Sequence, residues 1–170
     1  TVLFNTTRTM CNFAKQFLIQ ITFSINPEYS IAYGERNTPR IASLLRKSYW
    51  LSSASIVVIV VGILCLGPVV YEVWTRGAVA FSYPLMVSFL VILVAEGCWL
   101  PSQQLVVSTN HHQQMCWNFL ASSVLALLVC YVLVRMGAGL AHITYSQLLI
   151  HAITGYASIT VAYDIAKGKS

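Results

Sequence analysis

The chain reads as an all-α fold, a multi-pass transmembrane helix bundle of about five spans, and two observations carry that reading. Apolar residues make up 57% of the 170 residues and charged residues only 9%, with a mean hydropathy of +0.70; ordinary soluble domains carry about 25% charged residues. The apolar residues also gather into five stretches, approximately 4–33, 53–72, 83–108, 116–134 and 140–165. Each is near the roughly 20 residues that a helix needs to cross a bilayer. The net charge of +5 does not point to nucleic acid. The basic residues cluster at the ends of the stretches, where in membrane proteins they record orientation. The whole chain is one membrane domain on this reading.

The first stretch carries a polar stripe. At the 3.6-residue period Asn5, Arg8, Asn12 and Lys15 fall on one face with Thr9 and Gln16 beside it. Phe4, Phe13, Phe17, Leu18, Ile21 and Ile25 supply most of the apolar surface. A Lys or Arg at mid-bilayer costs about 2.5–3.5 kcal/mol on insertion scales. Two cations stacked one above the other therefore belong in a water-filled cavity or against an anion. Pro27 removes a backbone donor and predicts a kink, or a helix begun afresh. Beyond it, Arg36 to Tyr49 sets Arg36, Arg40, Arg46 and Lys47 among Ile41, Leu44 and Leu45. That pattern suits an amphipathic segment lying at an interface, or a solvated loop that fixes topology.

Ser53 to Val70 is a clean span of β-branched and small residues. Glu72 and Arg76, spaced i, i+4 around Trp74, predict a local ion pair at the water boundary, worth about 0–1 kcal/mol. In the third stretch Pro84 suits a first helical turn and Pro101 interrupts the helix late. Glu96 lies inside it. A carboxyl at that depth is protonated, paired with a cation from another helix, or facing a cavity, so charge pairing and ion coupling are its two readings. The fourth stretch, Cys116 to Val134, runs from Trp117 to Arg135. In the fifth, Gln147, His151 and Thr154 are spaced four and three and share a face turned to another helix.

The remaining polar residues suggest no catalysis. His111-His112 is followed by Gln113-Gln114, without the acids or repeated clusters of a histidine-rich metal box, and reads as a turn between two helices. His142 and His151 are nine apart, which is not a helical metal pair. Cys11, Cys65, Cys98, Cys116 and Cys130 are scattered singly and read as buried free thiols rather than zinc ligands. No enzyme activity, metal or cofactor is expected. With five spans, Arg36, Arg40, Arg46, Lys47, Lys167 and Lys169 fall on one side and Arg76 and Arg135 on the other. Six against two puts the C-terminus in the cytoplasm. Thr1 then starts outside without a signal peptide, so the expectation is a fragment of a longer protein.

Asn5-Thr6-Thr7-Arg8-Thr9 running into an apolar helix, then Pro27-Glu28-Tyr29-Ser30 and Tyr33-Gly34-Glu35-Arg36, resembles the O-antigen and oligosaccharide flippases. These belong to the MOP exporter superfamily and are relatives of the MATE drug exporters. Glu72-Val73-Trp74 and the stretch from Leu105 through Asn110-His111 resemble the family's later helix ends. The likeness covers nearly the whole chain and rests on the order and spacing of short motifs. It implies the last five of about twelve helices, most of the C-terminal lobe, with the N-terminal lobe of the same chain as the missing partner.

The resemblance further implies translocation of a polyprenyl-pyrophosphate-linked oligosaccharide across a bacterial inner membrane by alternating access, with or without H⁺ or Na⁺ coupling. Arg8 and Lys15 match the family's cationic cavity. A guanidinium meets a pyrophosphate bidentately and an ammonium adds a point charge. Asn5, Asn12 and Gln16 would then hydrogen-bond sugar or phosphate. The structural alternative pairs Lys15 with Glu96. Two rival functions are a small membrane-embedded scaffold without transport and a MATE-like exporter, whose cationic substrates call for acids in the cavity.

Overall fold

The computed structural model describes residues 2–169, and among them all regular structure is helical. Eight α-helices run in order: α1 (Val2–Phe23), α2 (Asn26–Gly34), α3 (Thr38–Thr75), α4 (Tyr83–Gly97), α5 (Leu100–Ser108), α6 (Gln113–Arg135), α7 (Leu140–Thr144) and α8 (Leu148–Ala166). A 3₁₀ turn at Tyr145–Gln147 joins α7 to α8. Three helical stretches are long and apolar enough to cross a membrane, namely α3, α6 and Leu140–Ala166. The α4–α5 pair, bent by 42°, makes a fourth if counted as one span. α1, at 22 residues, has the length, but its polar stripe keeps it out of that group.

Two of the breaks, α1–α2 and α4–α5, lie just ahead of a proline. Pro27 starts α2 and cannot donate to the Phe23 carbonyl, and the helix restarts through Tyr29 N–H to the Ile25 carbonyl at 3.2 Å. The second break is repaired from outside. An unbroken helix would bond the N–H of residue 101 to the Gly97 carbonyl, but residue 101 is proline. Ser52 Oγ of α3 donates to that carbonyl instead, at 3.0 Å in a buried position. Side-chain rescue of a freed backbone group is what permits proline within a span. Ser52→Ala should cost about 1–2 kcal/mol by orphaning the carbonyl. Ser52→Ala/Pro101→Ala, which restores the N–H, should recover much of it in denaturant titrations of the detergent-solubilised protein.

α3 is longer than the sequence suggests. The basic segment before Ser53 is not a separate interfacial element; it forms the first turns of one 38-residue helix. The side chain of Asn37 accepts from the Arg40 N–H at 3.0 Å and caps its start. Its buried residues Ile41, Ser48, Ser52, Ile56, Ile63, Gly67 and Tyr71 recur at seven, four, four, seven, four and four. They form a single stripe that crosses position 53 without a break. At the far end Arg76 adopts a left-handed conformation, φ +52°, as the C-cap. That turns it out of the helical i, i+4 geometry, and Glu72–Arg76 is not among the ion pairs of the described residues.

Three apolar clusters stack along the bundle. One joins Cys11 of α1, Ile63 of α3 and Leu85, Met86, Phe89 and Leu90 of α4. The middle one joins Leu18, Ile56, Leu93 and Leu100. The third joins α2, the start of α3, the end of α5 and the end of α8 through Tyr29, Ile41, Leu105 and Ile165. The α2–α3 corner, the histidine turn and the C-terminal end therefore share one end of the molecule. Tyr33 meets His111 edge-on at 5.6 Å, and a Cβ on Gly168 would lie 3.1 Å from Thr38 Cγ2. At that corner Arg40 clasps both Glu28 and Glu35, at 2.6 and 2.9 Å.

The cysteines depart from expectation. All five are free, but only Cys11 is buried, its Sγ donating to Met86 Sδ at 3.4 Å. Cys65 on α3, Cys98 in the α4–α5 joint and Cys116 on α6 are exposed and Cys130 is half-buried; Cys116 borders a cavity, and an apolar run by itself does not tell such positions from a core.

Candidate functional site

The polar stripe of α1 borders a cavity of about 700 Å³ between α1, α4, the α4–α5 joint, α6 and α8. Arg8, Asn12, Lys15 and Gln16 all line it. Asn5, one turn nearer the N-terminus, is exposed and is not part of the lining. From the facing elements come Glu96, Trp99, Gln103, Gln147, His151 and Thr154, with Phe89, Ile92 and Phe119 as apolar wall.

Glu96 stands in the last turn of α4, just before the Pro101 joint. Its Oε2 meets Lys15 Nζ at 2.8 Å, with side-chain exposures of 14% and 34% respectively. The pairing read from the sequence as a structural alternative thus exists, and both members still border the cavity. Arg8 differs. Among the described residues it has no acidic partner within ion-pair distance. The Lys15 and Glu96 charges offset each other, so the uncompensated charge on the lining is positive and belongs to Arg8.

Arg8 also lies where two spaces meet. A second cavity of about 460 Å³ shares Arg8, Gln147 and Ile150 with the first, and is walled chiefly by Phe4, Ala126, Leu127, Cys130 and Ile143. Ser123, Thr144 and Ser146 add hydroxyls to its wall, so a guanidinium there borders hydrogen-bonding groups and apolar side chains in both spaces. The arrangement suits an anion, because Arg offers several donors in a rigid fork that matches phosphate oxygens.

Gln147, His151 and Thr154 were placed by spacing on one face of the fifth stretch, and all three line the main cavity. Thr154 Oγ1 is also 3.3 Å from Ser122 Oγ, linking α8 to α6. Trp99 and Gln103 were not singled out from the sequence. Trp99 stands in the α4–α5 joint, 5% exposed, its ring centroid 6.2 Å from that of His151. Its indole packs on Gly155, where a Cβ would lie 2.9 Å from two of its ring atoms. Spacing could have found the face of α8; nothing local marks Trp99 as its neighbour.

Comparison with protein-family models, with curated proteins and with solved structures finds no match to this chain.

Proposed function

We propose that the protein translocates a polyprenyl-pyrophosphate-linked oligosaccharide across a bacterial inner membrane, its C-terminus in the cytoplasm, as most of one lobe of an alternating-access transporter. The observation that carries this reading is Arg8, a cation without an acidic partner among the described residues, on the lining of a cavity of about 700 Å³ rich in hydrogen-bonding side chains. In a helix bundle with three to four membrane-length apolar stretches, such a charge is costly unless it meets water or an anion. The pyrophosphate is held by Arg8, with Lys15 as a second cation and Asn12 and Gln16 as hydrogen-bonding partners. A second lobe of the same chain would close the cavity. The motif resemblance drawn from the sequence supports the choice of substrate. The cavity setting of the stripe disfavours the scaffold, which calls for dry helix contacts. Glu96, being engaged by Lys15, is a poor receptor for a cationic drug.

The test is a translocation assay. In proteoliposomes holding the intact protein and a fluorescent polyprenyl-pyrophosphate-linked saccharide, Arg8→Gln should slow translocation about tenfold or more. That is the scale of a lost charge-assisted hydrogen bond, about 1.5–3 kcal/mol. Membrane insertion and thermal stability should stay at the parent level. Translocation at the parent rate would overturn the assignment.

A further inference from the structure

The outward side of α3 changes character once along its length. Arg46, Trp50, Ser53, Val57, Val61 and Leu64 recur at four, three, four, four and three, so they share one face, and all six are exposed. In a helix long and apolar enough to cross a membrane, the valine part of this face meets acyl chains. Lys47, beside Arg46, is exposed too. Neither cation has an acidic partner within ion-pair distance among the described residues, whereas Arg40 nearer the start of the helix is clasped by Glu28 and Glu35. The tryptophans set the depth. Trp50 and Trp74, 76% and 52% exposed, stand 24 residues apart on this unbroken helix, about 36 Å at 1.5 Å per residue. That length covers a hydrocarbon core of about 30 Å and leaves a little at each end, where tryptophan rings settle at headgroup level. Arg46 and Lys47, about one turn beyond Trp50, then reach the lipid phosphates.

We infer that Arg46, Lys47 and Trp50 form a binding site for an anionic phospholipid, whose acyl chain lies along Val57 and Val61. The inference goes beyond translocation and does not depend on it; it requires only that α3 spans a bilayer. The charge selects the lipid. The guanidinium of Arg46 forks onto phosphodiester oxygens and the ammonium of Lys47 adds a point charge. A zwitterionic headgroup brings an ammonium of its own beside two cations that have no acidic partner, and that repulsion offsets the attraction for its phosphate. A glycerol headgroup carries no such charge. The ring of Trp50 is apolar toward the chain and donates from Nε1 toward the ester region. Ser52, next to this face, holds the Gly97 carbonyl, so a lipid seated here grips α3 at the level of the α4–α5 joint.

Trp50 itself reports the lipid beside it. In a Trp74→Phe/Trp117→Phe background the remaining tryptophans are Trp50 and Trp99, and Trp99 is buried at 5% exposure. The intact protein is reconstituted in mixed vesicles of dioleoyl phosphatidylglycerol and dioleoyl phosphatidylcholine, with one or the other brominated on its chains. Fluorescence quenching then gives the relative affinity of the two lipids at Trp50. Each Lys or Arg near an anionic surface strengthens attachment about fivefold, so phosphatidylglycerol should be preferred about ten- to thirtyfold. Arg46→Gln/Lys47→Gln should bring that preference close to one without lowering the melting temperature in detergent, and about 0.5 M salt should reduce it, because the charges are exposed and screened. Arg76→Gln, at the other end of α3, should leave it unchanged. Native mass spectrometry of the parent and of Arg46→Gln/Lys47→Gln, counting retained copies of each lipid, makes the same comparison without the tryptophan substitutions. Equal quenching by the two lipids, a preference that survives Arg46→Gln/Lys47→Gln, or a Trp50 that neither lipid quenches because another protein helix covers it would overturn the site and leave the translocation reading standing.

Discussion

Lys15→Ala should destabilise the intact protein by about 2–3 kcal/mol, and Lys15→Met/Glu96→Leu should recover most of that loss. Removing one member of a fully buried ion pair costs about 3–5 kcal/mol, because the other charge is left without compensation. Here Glu96 is 14% exposed and Lys15 34%, so water in the cavity reduces the figure. Replacing both by apolar side chains removes the uncompensated charge altogether. Unfolding of the detergent-solubilised variants by graded denaturant measures the difference. A double variant as unstable as Lys15→Ala would show that the pair is not the cause. The same double variant separates packing from transport. If Lys15 also holds the pyrophosphate, the variant folds and inserts normally yet translocates slowly. Translocation at the parent rate would leave Lys15 with a structural role alone.

Gly155→Ala should cost about 3 kcal/mol, at the upper end of the usual range for inserting a methyl group into a packed site. The new Cβ would stand 2.9 Å from Cδ1 and Cγ of Trp99 and 3.3 Å from its Cβ. A flat, buried ring has no flexible end to move aside, so α8 or the α4–α5 joint must shift. Gly155→Ala/Trp99→Leu should regain part of the loss. Gly62→Ala is the control. Nothing lies within 4 Å of a Cβ there, and in a helix interior alanine should stabilise by about 0.5–1 kcal/mol. Equal effects at the two glycines would show that contact with Trp99 is not what matters at 155.

The helical class was legible in composition, and the breaks near Pro27 and Pro101 were legible in a local rule: a residue without an N–H ends a backbone ladder. The stripe of α1 was also legible, since Arg8, Asn12 and Lys15 keep helical spacing and each costs free energy against lipid. The continuity of α3 was harder to see, because Arg46 and Lys47 near Ser53 look like a water boundary. The deciding signal was the stripe from Ile41 through Ser48 and Ser52 to Ile56, partly built of serines that a hydropathy reading passes over. The Glu72–Arg76 expectation failed because helical spacing holds only while the backbone stays helical, and Arg76 has already left it. Least legible was the Trp99–His151 neighbourhood. It depends on a contact between α8 and a joint more than fifty positions earlier, which only the packed bundle reveals.

The uninterrupted α3 has a mechanical consequence. At 1.5 Å per residue its 38 residues extend about 57 Å, whereas a bilayer's hydrocarbon core is about 30 Å thick. The part from Thr38 to Ser52 is a rigid arm of about 22 Å. A tilt of about 10° would sweep its tip through about 4 Å, by the same rise per residue. Ser52 sits at the base of that arm, holding the Gly97 carbonyl, and Arg40 near its tip clasps Glu28 and Glu35. Rocking of α3 would therefore be felt at once by the joint that carries Glu96 and Trp99 and by the far corner of the molecule, as one stiff lever joins the two.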